Sequence, residues 1–159
     1  MASNGDRGKA FERELAASMR AAGLLVHRIR DCVMYANGRS YGEKSPCDFY
    51  ALALVGDSVV ALAVEAKAVS GESIPFDRLQ RHQLEALLEF DSISRSMGGY
   101  VAVNFYELGN LRGLNRMFMV PVAFWAAKMA SSDRKSLAMS ECEAAVECVE
   151  CPRCAGSEY

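Results

Sequence analysis

Three charges interrupt the apolar stretch PCDFYALALVGDSVVALAVEAK, residues 46–67: Asp48 near one end, Glu65 and Lys67 at the other. Gly56-Asp57 suits the two-residue turn of a β-hairpin, with strands over about 47–55 and 58–67. Val55 then faces Ser58 and Leu54 faces Val59, and the same register sets Asp48 opposite Glu65. Opposed residues share a sheet face, with Cβ atoms about 5 Å apart. Lys67 lies two residues beyond Glu65 and points the same way. The spacing therefore gathers two carboxylates and an ammonium at one end of an apolar hairpin.

Opposed carboxylates repel, and desolvation at a sheet end sharpens the repulsion. A cation between them relieves it. Hard oxygen ligands suit Mg²⁺, which takes one or two carboxylates and fills its shell with water and phosphate oxygens, and the Ala66 carbonyl offers a further ligand. Lys67 beside such an ion would orient a water and stabilise charge developing on phosphorus. The chemistry implied is metal-dependent attack of water on a phosphodiester. A bare Asp…Glu-x-Lys pattern also fits a surface salt bridge. The hairpin register is what favours the metal, and a one-residue slip would undo it.

The elements that must carry these residues follow from periodicity. Phe11, Leu15, Ala16, Met19 and Ala22 recur at helical spacing over 6–22, and Gly23 stands where a helix ends. LLVHRIR reads as a strand, and MYANGRSYGEKSP as a loop broken by Asn37-Gly38, Gly42 and Pro46. After the hairpin, SGESIP reads as a loop and FDRLQRHQLEALLEFDSIS as a helix. GGYVAVNFY and RMFMVPV read as strands, and PVAFWAAKMA as a short helix. The order α-β-β-β-α-β-β-α predicts a mixed α/β sheet flanked by helices. At 159 residues one domain over 1–130 is expected, followed by a weakly attached acidic, cysteine-rich tail over 131–159.

The net charge of −2 hides an imbalance. From Ser136 onward five glutamates face one arginine, which leaves 17 bases against 15 acids in the rest. Eight bases precede Asp48, against five acids. That distribution permits a nucleic-acid partner without demanding one. No apolar run reaches the ~18 residues of a membrane span and the N-terminus lacks a signal core, so a cytoplasmic protein is expected.

PCD followed on the next strand by VEAK resembles the PD-(D/E)XK nuclease core, a restriction endonuclease-like fold. RGKAFERELAASMRAAG is similar to the first helix of Holliday junction resolvases. The run VEAKAVSGESIPFDRLQRHQLEALLEF…GGYVAVNF, continued by RMFMVPVAFW, resembles the RecU group, and the archaeal Hjc-type enzymes share its outline. The likeness covers residues 5–127. The segment between Asp31 and Asp48 is shorter than a RecU stalk, which points to a compact Hjc-like or phage-type plan. The resemblance implies a homodimer that resolves four-way DNA junctions by paired symmetric nicks, using Mg²⁺ or, in its place, Mn²⁺. It implies Glu12, Asp48 and Glu65 as ligands of the metal or its water, Lys67 as the catalytic lysine and Gln83 as the supporting helix residue. Arg7, Lys9, Arg13, Arg28, Arg30, Arg39 and Lys44 become candidate phosphate contacts. Residues 33–45 become a candidate for entering the junction centre, and MFMVPVAFWAAKM a candidate dimer surface.

Two alternatives remain at this stage: another PD-(D/E)XK endonuclease acting on duplex or branched DNA, and a catalytically silent DNA-binding module of the same fold. In the tail, Cys142, Cys148, Cys151 and Cys154 form two overlapping C-x₂-C steps with a cysteine six residues earlier. They suit either a Zn²⁺ site or a reduced acidic tail. Cys32 and Cys47 are expected to be free thiols.

Overall fold

The structure is a computed structural model, and it describes residues 4–36, 39–107, 115–131 and 133–145. The elements run α1 (Asn4–Ala21), β1 (Leu25–Arg28), β2 (Cys32–Ala36), β3 (Arg39–Glu43), β4 (Phe49–Val55) and β5 (Ser58–Ser70). There follow β6 (Ser73–Pro75), a 3₁₀ turn (Phe76–Arg78), α2 (Arg81–Ile93), β7 (Met97–Tyr106) and β8 (Arg116–Pro121). The described chain closes with α3 (Val122–Ser131), β9 (Ser136–Ala138) and α4 (Met139–Ala145).

Five strands form the central sheet in the order β1-β4-β5-β7-β8. β5 and β7 are parallel, and every other neighbouring pair is antiparallel. The parallel pair needs a crossover, and α2 supplies it. The β4–β5 register pairs Val55 with Ser58 and runs unbroken to Phe49 with Val64, as the Gly-Asp turn predicted.

The sheet is covered on both faces. Phe11, Leu15, Ala16 and Met19 of α1 pack on Val26, Phe49, Ala51, Val64 and Ala102. Ala63, Val101, Val103, Phe105 and Val120, on the other face, meet Leu87 of α2 and Trp125 of α3. α1 ends as predicted: Gly23 has φ +87°, Leu24 N–H donates to the Met19 carbonyl and Gly23 N–H to that of Arg20, so a left-handed residue closes the helix. Gly99 decides how closely α2 approaches. A Cβ there would lie 2.4 Å from the Leu87 carbonyl oxygen, so only glycine lets α2 lie on β7 at this distance. The Gly99 N–H donates to Asp91 Oδ1 at 3.1 Å and ties the helix down.

Four sequence expectations meet different arrangements. The segment read as a loop over 34–46 contains the antiparallel pair β2–β3, in which Cys32 faces Glu43 and Ala36 faces Arg39. Asn37-Gly38 separates these strands and lies outside the described residues; the dipeptide read there as a breaker is also a strong hairpin signal. The helix expected from Phe76 begins instead at Arg81, because Leu79 and Gln80 are extended. Phe76 and Leu79 are both buried, and their i,i+3 spacing fits a 3₁₀ turn as well as an α-helix. The tail expected to be weakly attached is docked at its start. β9 pairs antiparallel with β6, inside the segment SGESIP read as a loop, and Leu137 and Cys142 are fully buried. The candidate dimer segment MFMVPVAFWAAKM is largely core, with Phe118, Met119, Val120, Val122 and Trp125 buried.

Candidate active site

β1 and β4 stop at Arg28 and Phe49, while β5 continues to Ser70, so the middle of β5 is open on its β4 side. Asp48 occupies that gap. Its carbonyl accepts from Ile29 N–H at 2.8 Å, its own N–H donates to the Val64 carbonyl at 3.1 Å, and its Oδ2 accepts from Ala66 N–H at 2.8 Å. The carboxylate is thereby aimed along β5.

Glu65 and Lys67 alternate with Val64 and Ala66 along β5. Val64 and Ala66 pack under α1. Glu65 and Lys67 therefore face α2, where Gln83 meets both. Glu65 Oε1 accepts from Lys67 Nζ at 2.6 Å and from Gln83 Nε2 at 2.6 Å. Gln83 Oε1 accepts from Lys67 Nζ at 3.3 Å and from Gln80 N–H at 3.0 Å, so one side chain both caps α2 and braces the charged pair. Glu65 is 2% exposed, and its second oxygen, Oε2, is buried with no hydrogen-bond partner among the described residues.

Glu12 approaches from α1, around the end of the short strands, and is paired with Arg28 of β1. It shares a cleft of about 360 Å³ with Arg28, Asp31, Ser45 and Asp48. Asp31 Oδ1 accepts from Ser45 N–H at 2.7 Å, which closes the base of the β2–β3 hairpin at the cleft rim.

The electrostatics link the three acids. Burial, then the Asp48 charge, pushes the Glu65 carboxyl up to about 7, and Glu12 adds to the rise. Burial raises Asp48, and burial followed by the Asp48 charge raises Glu12. Lys67 pulls all three in the other direction. A buried oxygen without a donor, beside two further carboxylates, is the donor set a divalent cation satisfies. The set is not closed: among the described residues no three His, Cys, Asp or Glu side chains stand close enough to enclose an ion, and Glu12 is turned to Arg28.

The structure thus brings Asp48, Glu65, Lys67 and Gln83 together, with Glu12 at the edge. The candidate phosphate contacts scatter more. Lys9, Arg13 and Arg30 are exposed. Arg28 holds Glu12, and Lys44 donates to Gln80 Oε1 at 3.1 Å. Arg7 is paired with Glu107 and lies 4.8 Å from the Tyr106 ring centroid. The Arg39 side chain lies outside the described residues, as do Cys148, Cys151 and Cys154. Cys142 sits in the apolar core, where burial pushes its thiol up to about 12. Cys47 is likewise buried, and its thiol donates to the Phe49 carbonyl at 3.4 Å. Two features had no sequence signal: the Arg28–Glu12 pair and the Asp31–Ser45 closure, both of which depend on where β1 meets β4.

A family model described as archaeal Holliday junction resolvase (Hjc) matches residues 3–121. Hjc of Archaeoglobus fulgidus, a Holliday junction resolvase from an archaeal hyperthermophile, is a solved structure with TM-score 0.53 and 21% identity, over 87% of this chain and 94% of that one. At that identity the likeness shows the fold. The solved structure of SSO0001 is more remote, at TM-score 0.38 and 10% identity over 84% of this chain and 64% of that one. No curated protein matches.

Proposed function

The chain belongs to the archaeal Holliday junction resolvase (Hjc) family, and from that premise we propose that Glu12, Asp48, Glu65, Ala66 and Lys67 form its DNA-cutting centre, braced by Gln83. The protein is a metal-dependent endonuclease that resolves four-way DNA junctions. The observation that carries the site assignment is Glu65: a fully buried carboxylate facing Asp48, with two donors on one oxygen and none on the other.

Asp48, Glu65 and the Ala66 carbonyl are the residues that would hold Mg²⁺, and Glu12, paired with Arg28, would be a ligand of the metal or its water. The N–H and C=O of one strand residue face the same neighbour. Ala66 N–H meets Asp48, so its carbonyl faces the same open gap. The cation supplies Lewis-acid polarisation of the phosphate and lowers the pKa of water. Lys67 is held at its ammonium by Glu65 and Gln83 and keeps a third N–H free to orient the attacking water or to donate to a phosphate oxygen. Asp48 and Glu65 fix the direction of approach from the α2 face. Exposed Lys9, Arg13 and Arg30, with Arg28 in the cleft, meet the backbone phosphates and position the DNA. The β2–β3 hairpin, anchored at the cleft rim, reaches toward the junction centre.

The active unit is a homodimer, since a junction of near two-fold symmetry needs two like sites. Its surface is the α2 side of the sheet near β1, beyond the cover of the helices. There Leu25 faces Leu52 and Leu54 faces Val59, all four exposed, with Leu54 at 74%. An apolar sheet face of this kind is unusual on a monomer.

The test is cleavage of a labelled four-way junction and of the matching linear duplex, with Mg²⁺ or with EDTA, by the wild type and by Asp48→Asn. Paired symmetric nicks in the junction alone, lost in EDTA and in the variant, are expected. Full cutting by Asp48→Asn would remove the site assignment. Leu54→Glu is expected to shift the dimer toward monomer on sizing; an unchanged elution would remove the proposed surface.

A further inference from the structure

Past Ser70, the last residue of β5 paired with β7, the chain leaves the ladder of the central sheet before it reaches Gln83. Gly71 N–H donates to the Tyr106 carbonyl, and the next residues are held by the C-terminal segment. The Glu72 carbonyl accepts from Met139 N–H at 2.8 Å. Ser73, Ile74 and Pro75 pair with Ala138, Leu137 and Ser136. Phe76 N–H donates to the Lys135 carbonyl at 2.9 Å. Ile74 and Leu137 are fully buried, and Phe76 stands edge-on to Trp125 at 5.6 Å. The segment is itself clasped. Glu141 Oε2 accepts from Ala138 N–H at 3.0 Å, and Oε1 from Lys128 at 3.0 Å and Arg134 at 2.7 Å. Arg116 of β8 reaches Glu143 at 2.6 Å. The family match ends at residue 121, before the C-terminal segment begins, while the β5–α2 connection it holds lies inside the match.

From these contacts we propose that residues 133–145 are a positioning element of the active site: they hold the β5–α2 connection so that Gln83 stays on the Glu65–Lys67 pair. Leu137 and Glu141 are its positioning residues. The inference rests on the site assignment above. The physical reason is the short reach of the contact it protects. Gln83 lies in the first turn of α2 and meets Glu65 at 2.6 Å and Lys67 at 3.3 Å, so a shift of about 1 Å at the start of the helix breaks both bonds and leaves Lys67 held by Glu65 alone. Gly99 and Asp91 fix the C-terminal half of α2 against β7. Its N-terminal end has the β6–β9 clasp.

The experiment is single-turnover cleavage of a labelled four-way junction by the full chain carrying Leu137→Ala or Glu141→Ala, each alone and combined with Gln83→Ala. Junction affinity and thermal midpoint are measured alongside. Glu141→Gln serves as the milder variant should either alanine form fail to fold, and Val26→Ala, under α1, is the control for general destabilisation. The expected result is a rate about 10-fold lower with junction affinity unchanged, and no further loss when Gln83 is already alanine. Rate losses that multiply with that of Gln83→Ala would overturn the proposal. So would wild-type rates in the segment variants, or an equal rate loss in Val26→Ala at the same thermal shift. Asp48→Asn separates the two layers. If it still cuts, the site assignment has failed. If it is inactive while Gln83→Ala cuts like the wild type, the positioning route through Gln83 has failed.

Discussion

Glu65 and Glu141 are both gripped by a lysine, yet they lie at opposite ends of the carboxylate range. Glu141 accepts from the Ala138 N–H on one oxygen and from Lys128 and Arg134 on the other. Those donors, the backbone N–H first, hold it down at about 2. Glu65 has Lys67 and Gln83 on one oxygen and nothing on the other, and burial with Asp48 opposite pushes it up to about 7. One carboxylate has every partner it needs and works as a clasp. The other is short of positive charge, which a cation would supply. A cation beside a carboxylate therefore does not by itself mark a site; the unmet demand does.

The largest effect should come from removing that demand. Glu65→Gln is expected to cut four-way junctions at least ~10³-fold more slowly while binding them as before. Activity within tenfold of wild type would put Glu65 in the same class as Glu141. Gln83→Ala should come next, at ~10–100-fold in rate, because it supports Glu65 and Lys67 from outside the reacting atoms. A change in junction affinity without a change in rate would reassign it to DNA contact.

The pH dependence of stability should separate the two acids by sign. Glu65 has a raised folded pKa, so its contribution is fully present below about 4.5 and is lost as pH rises through about 7. Glu141 has a depressed folded pKa, so its contribution is present above about 4.5 and is lost as pH falls toward about 2. Without metal, Glu65→Gln should therefore melt several degrees higher than wild type at pH 8, by roughly 4–8 °C. Mg²⁺ should raise the wild type and leave the variant unmoved. Glu141→Gln should melt lower than wild type at pH 7, and the gap should close on acidification. A common pH slope for the two variants would erase the contrast between them. The smallest of these effects belongs to Glu141→Gln, whose pairs with Arg134 and Lys128 are partly open to solvent and screened.

Much of the site was legible because it lies on a hairpin. A two-residue turn fixes register, so spacing brought Asp48, Glu65 and Lys67 to one end of the hairpin, but the ladder ends at Phe49–Val64 and Asp48 N–H meets the Val64 carbonyl, so Asp48 does not pair with Glu65 as the register implied. Glu12 and Gln83 became legible only through the family resemblance, since nothing local says where α1 and α2 lie on the sheet. The rest was hidden for the same reason. The β6–β9 pair joins residues more than sixty positions apart, and three-residue strands leave no periodicity to read. The cysteine spacing suits Zn²⁺, but it carries no signal that Cys142 is buried, because that depends on where α4 docks. MFMVPVAFWAAKM is apolar whether it faces a partner or the core, and only the assembled layers place it inside.

By itself, then, the sequence determined what local geometry controls: the hairpin register from Val55–Ser58 to Phe49–Val64, the Gly23 helix end and the α/β order. Tertiary structure alone decided what depends on distant segments meeting. It turned Glu12 to Arg28, set Gln83 on Glu65 through the close approach at Gly99, and left one buried oxygen of Glu65 without a donor. The physical reason is that side-chain spacing constrains neighbours within an element. Burial and hydrogen-bond satisfaction are set only once the layers close.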